Sequence, residues 1–145
     1  MKRSTGLRNY MLASGSFKDA LAGTVLRVYG GAAPASADDA IGAAVLLCTI
    51  SVDGTGTGVT LDAAASGGVI VKNPSEVWTG DVTTSGTAAF FRMEFAADTG
   101  AFSTSAVRMQ GTVGLVGADL NCSSINLAMG DARRINYFAA SISAG

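Results

Sequence analysis

The sequence predicts an all-β protein, an antiparallel β-sandwich or jelly roll of about eight or nine short strands, with an N-terminal arm and one or two short helical turns. Three observations predict it. Runs of alternating apolar and polar residues recur at intervals of roughly ten residues. Glycine punctuates them far more often than proline, 19 residues against 2. No strand–helix alternation of the kind that builds a parallel sheet runs through the chain. The 145 residues are enough for one core, read as an arm over 1–23 and a single sandwich domain over 24–145.

The arm carries Lys2, Arg3, Arg8 and Lys18 before its first acid, Asp19. Leu7, Tyr10 and Met11 have helical spacing, as do Phe17, Ala20 and Leu21. Gly15 breaks any single long helix, and Ser16 is placed to cap a short turn that Gly23 ends. Such an arm either reaches a neighbouring subunit or lies over its own sheet. Strands are expected over 24–29, 44–51, 59–61, 68–72, 76–79, 86–96 and 107–115. A strand-like pair over 117–124 and 125–130 and a last strand over 133–143 complete the set. The sharpest register expectation concerns 86–96 and 107–115. Folded antiparallel about Ala101, they place Met93 opposite Met109 and Glu94 opposite Arg108, with both apolar sets on one face.

Between the strands at 24–29 and 44–51 runs a connector of about 14 residues, long for a plain β-connection. Ser36 can cap a turn whose first residues include Asp38 and Asp39. Adjacent aspartates on a turn diverge and are followed by no third oxygen ligand, so capping is preferred to a metal site. Asp53 to Gly58 is glycine-rich, but strand rather than helix follows, so it reads as a hairpin turn and not as a phosphate cradle.

Composition excludes several classes of function. Only 14% of residues are charged and mean hydropathy is +0.37, against about 25% charged in an ordinary soluble domain. So few charges do little to keep copies apart; alanine-rich packing in a monomer is the other reading. Net charge is −1, which draws in no nucleic acid. The longest mostly apolar run, Ala40 to Ile50, is about half of the roughly 20 residues a membrane span needs. The basic N-terminus lacks the apolar stretch of a signal peptide. Without a histidine there is no Ser-His-Asp or Cys-His site, and the aspartates sit at turns, where their side chains bond their own backbone. No enzyme activity, cofactor or metal is expected. Cys48 and Cys122 read as small buried hydrophobes, or as a disulfide in an oxidising compartment. Trp78, the single tryptophan, reads as a core or interface anchor, or as a sugar-stacking platform with Tyr29.

The stretch Leu26 to Ile50, LRVYGGAAPASADDAIGAAVLLCTI, resembles a group of small tailed-bacteriophage structural proteins that run strand, Tyr-Gly/Ser-Gly, Pro-Pro/Ala-x-Ala-Asp, strand. GLRNYMLASGSFKDALAG, the Trp78 region, FFRMEF and QGTVGLVGADLN are similar to the same group. The resemblance implies a virion component assembled in the host cytoplasm. A capsid decoration (cement) protein that bridges capsomers is the leading expectation; a neck, tail or baseplate component and a carbohydrate-binding module are the alternatives. It implies the major capsid protein or other virion proteins as partners, together with further copies of the chain as a dimer or trimer. Lys2, Arg3, Arg8, Tyr10, Phe17, Tyr29 and Pro34 are the candidate contact residues, with the basic arm meeting an acidic capsid surface.

Overall fold

The computed structural model describes residues 1–144. The chain is all-β, with 39% of residues in strands and 10% in two helices. The elements are β1 (Lys2–Arg3), α1 (Thr5–Ala13), α2 (Phe17–Leu21), β2 (Val25–Gly30), β3 (Val45–Val52), β4 (Val69–Val71), β5 (Trp78–Asp81), β6 (Gly86–Glu94), β7 (Met109–Gly114), β8 (Leu120–Asn121), β9 (Asn126–Leu127), β10 (Ala132–Ile135) and β11 (Ala139–Ser141). The large sheet has the order β1-β7-β6-β2-β3-β5-β10, with β8 beside β7 and β9 beside β6. A second sheet pairs β4 with β11. The pairings are antiparallel except β7 with β8.

The turns follow local chemistry. Asp53 and Gly54 both have positive φ, 52° and 68°, and the Thr55 N–H donates to the Val52 carbonyl at 3.1 Å. That is the primed turn that Asp-Gly favours, and its twist matches the strands it joins. Ser16 caps α2 in a reciprocal capping box with Asp19, and Gly23 at φ 86° leads the chain away. In the connector Ser36 Oγ accepts from the Asp38 N–H at 3.1 Å and the Ser36 N–H donates to the Asp39 carboxylate at 2.9 Å, a related turn in which the two bonds go to different residues. No helix grows from that turn.

The β6–β7 register is the expected one, with Met93 opposite Met109 and Arg92 opposite Gln110. Alternation then sorts the sheet into two faces. One carries Leu26, Val28, Cys48, Ile50, Phe91, Met93 and Met109, and on it pack Leu7, Leu21, Val59, Leu61, Trp78 and Phe138. Trp78, Phe91 and Phe138 form the aromatic centre, with ring centroids 5.6 and 5.8 Å apart. The other face carries Arg27, Tyr29, Phe90, Arg92, Glu94, Arg108 and Gln110. The polar alternation suggests a solvated face, yet Arg92, Glu94, Arg108 and Gln110 are all buried.

Two expectations are corrected, and residues 1–23 follow one of their two readings, lying against their own sheet. β1 pairs with β7, Leu7 is fully buried, and Ser4 both caps α1 and accepts from the Arg108 N–H at 2.9 Å. Gly6 lies so close to the carbonyls of Ser105 and Ala106 that a Cβ would strike them. Segments 117–124 and 125–130 pair not with each other but with β7 and β6. Residues 133–143 are two strands in two sheets, because Phe138 turns into the core between Trp78 and Phe91 and its carbonyl accepts from Lys72 N–H at 2.9 Å.

Candidate functional site

The charged face of the sheet is a clamp for the connector. Glu94 Oε1 accepts from Arg27 Nη1 at 2.8 Å and from the Tyr29 hydroxyl at 3.0 Å. Arg108 grips Asp98 with two bonds of 2.7 Å, and its Nε lies 3.9 Å from Glu94 Oε2. Arg92 binds the Gln110 side-chain oxygen through Nη2 at 2.8 Å and Nε at 3.2 Å. The remaining donors reach up into the connector. Every carbonyl from Pro34 to Asp39 accepts from a side chain. Gln110 and Lys2 reach Pro34 and Ala35 at 2.8 Å each, and Arg92 reaches Asp39 at 3.1 Å. Longer contacts of 3.4 to 3.5 Å run from Arg92 to Ser36 and from Arg108 to Ala37 and Asp38. The Asp38 carboxylate closes the far side, accepting from Thr5 N–H and Oγ at 2.7 Å.

The titrations follow from this burial. Burial opposes the Arg27 charge, but its bond to Glu94 holds its pKa above the ordinary value. Burial, aided by Glu94, pushes the Tyr29 phenol far above its usual range. Burial would raise the Asp98 carboxyl, but the Arg108 bonds and the Gly100 N–H hold it below the ordinary value. Arg92 is lowered, chiefly by burial, and its Nη1 has no hydrogen-bond partner, nor has Glu94 Oε2. Every one of these groups is engaged in holding the chain together. The cluster is charged architecture, with no free nucleophile or base turned to solvent.

The candidate contact residues divide. Lys2 and Arg8 are exposed beside the clamped connector and Pro34 is half-buried within it, whereas Arg3 is half-buried on the other face of the sheet, opposite Met109 and near Phe17. Tyr10 and Phe17 are half-buried and pack against the core. Tyr29 is corrected: it is buried, stacked on Phe90 at 5.1 Å and bonded to Glu94, so it offers no surface to a partner. Trp78 is fully buried, its Nε1 donating to Glu76 at 2.8 Å, so Trp78 and Tyr29 build no glycan platform. Sequence reasoning missed Arg92, Asp98 and Gln110. Only the pairing of Glu94 with Arg108 pointed toward them.

Both cysteines are free thiols. Burial pushes Cys48 up to about 11 and raises Cys122 as well. A thiol reagent at neutral pH is expected to modify half-buried Cys122 slowly and Cys48 only on unfolding. Mass-spectrometric time courses check this, and Cys48 reacting first would contradict it. Both cysteines line a groove of about 520 Å³ over the apolar face of the large sheet. Tyr137 is exposed at the groove wall, and elsewhere Leu12, Phe102, Leu115, Val116 and Met129 are exposed apolar side chains. Among the described residues no group of three or more metal-ligating side chains occurs, and no helix is long and apolar enough to cross a membrane.

Fold and surface together define an all-β scaffold that buries a cluster of charges, Arg92, Glu94 and Arg108, and turns part of its large apolar groups outward. Comparison with protein-family models, with curated proteins and with solved structures finds no match to the chain.

Proposed function

We propose that this chain is a structural protein of a tailed-bacteriophage virion, a decoration protein that binds the outer head shell and bridges capsomers. One observation carries the reading. The stretch that resembles the phage structural group, Leu26 to Ile50, is the stretch the rest of the domain is built to hold: two central strands and the connector clamped by Arg92, Arg108, Gln110 and Lys2. The resemblance therefore falls on architecture. Exposed Phe102, Leu115, Val116, Met129 and Tyr137 support the reading, because apolar surface is what a subunit of an assembly buries. Binding would draw on that burial, at about 25 cal/mol per Å² before association costs, and many weak symmetric contacts would add up. Exposed Lys2 and Arg8 would meet acidic groups on the major capsid protein, and further copies of this chain would be the second partner.

Co-sedimentation with purified heads lacking the protein tests this. The wild type is expected to saturate the heads. The Lys2→Glu/Arg8→Glu variant is expected to bind at least tenfold more weakly at low salt, with the difference shrinking as salt rises. Heads that bind neither protein would overturn the reading.

A further inference from the structure

The large sheet is open, and its path has two ends. One end is β10, and the other is β1, which shares the outer edge of β7 with β8. Among the described residues β10 pairs only with β5 and β8 only with β7. The groove of about 520 Å³ runs between these two strands. Leu120 to Ser124 line one side, Ala132 to Ala139 the other, and Val28, Cys48, Ile50 and Val113 of the apolar face form its floor. This volume is within the range of real binding clefts. An unpaired strand edge beside an apolar trough is the arrangement that accepts an added strand: main-chain bonds supply the attachment, and alternate side chains drop into the trough.

Charge narrows the occupant. Arg133 and Arg134 both stand on β10 and line the groove. Arg134 is exposed. Arg133 spends Nη2 on the Asn126 carbonyl at 3.1 Å, and its Nε has no partner. The acid on the groove wall, Asp119, is already tied to the Met1 ammonium at 3.1 Å and to the Thr112 N–H at 2.9 Å. Asp131 lies 4.0 Å from Arg133, at the limit of an ion pair. The lining thus offers cationic charge above an apolar floor.

We propose that the groove is a docking site for an extended, acidic–apolar segment of a partner protein, which adds as a strand to the free edge of β10 and lays alternate apolar side chains on the groove floor. The site goes beyond the virion reading and stands without it.

The probe is a labelled, end-blocked Glu-Val-Glu-Val-Glu-Val peptide, followed by fluorescence anisotropy on the full chain and by amide hydrogen exchange at Ala132–Ile135. The expected dissociation constant is on the order of tens of micromolar at low salt, with slowed exchange at β10. The Lys-Val counterpart is expected to bind at least tenfold more weakly. A Glu-Val peptide with proline at its centre, which lacks the N–H needed for pairing, should fall below detection. Arg134→Glu, a surface change, should weaken the Glu-Val peptide about tenfold. The peptide comparisons use the unaltered protein, so they hold even where a variant fails to fold. No binding by the Glu-Val peptide would overturn the proposal. So would equal binding of the proline peptide, protection elsewhere than β10, or dimerisation of the chain through β10 in sedimentation.

Discussion

Replacing Glu94 with alanine is expected to destabilise the fold by about 3–5 kcal/mol, lowering Tm by about 10 °C for a domain of this size. Glu94 is fully buried, and its loss leaves the Arg27 and Arg108 guanidiniums facing the space it occupied and the Tyr29 hydroxyl without an acceptor. Buried ion pairs can often be exchanged for apolar residues at little cost. That exchange is not open here, because Arg92 and Arg108 also hold connector carbonyls, which would be left unpaired. Glu94→Gln keeps an acceptor for Arg27 and Tyr29 and is expected to lose less. Thermal and urea melts check both variants, and wild-type stability in Glu94→Ala would remove the clamp from the account.

Acids of the clamp, together with Glu76 beneath Trp78, are expected to make the protein acid-labile. The pKa values of Asp98, Asp38 and Glu76 are held below their ordinary values of 3.8, 3.8 and 4.5 by hydrogen bonds that outweigh burial. A depressed folded pKa contributes stability above the unfolded value and loses it as pH falls through the folded one. Stability is therefore expected to be level from neutral pH down to about 5 and to fall steeply below about 4.

The second large effect is expected for Phe91→Ala, a loss of about 4 kcal/mol. Phe91 is fully buried and packs edge-on to Phe138. It also sits so close to Gly111 that a Cβ there would come within 2.5 Å of the ring. Neighbours held on both sides cannot collapse into the space, so the cavity cost adds to the transfer cost. Phe102→Ala removes the same side chain where it is 65% exposed and is expected to change stability by less than about 0.5 kcal/mol. Urea midpoints separate the two, and similar losses at both positions would contradict the placement of the core.

Much of this fold was legible because period and turn chemistry act locally. The alternation of β2, β6 and β7, the Ser16 cap, the Asp-Gly turn and the Met93–Met109 register follow from neighbours in sequence. The clamp was not legible for a specific reason. A polar face in an antiparallel pair normally meets water, and nothing in Phe90, Arg92, Glu94 and Gln110 says that a connector from residues 31–44 will cover them. The break after Ile135 was hidden in the same way. Residues 133–143 alternate throughout, and only the pull of Phe138 into a distant aromatic cluster divides them. Lys2 and Arg8 stayed at the surface because their side chains have long stems and hydrated heads, whereas Tyr29 was drawn inward by stacking on Phe90 and by the Glu94 acceptor.

The reading as a head decoration protein is tested most directly by locating the chain on the particle, through cryo-electron microscopy of virions from a host that carries its gene, with mass-spectrometric copy counting. The expected result is regularly spaced density over the shell, on the order of hundreds of copies per particle. A ring of about 3 to 12 copies on the tail axis, or particles that lack the chain, would contradict it.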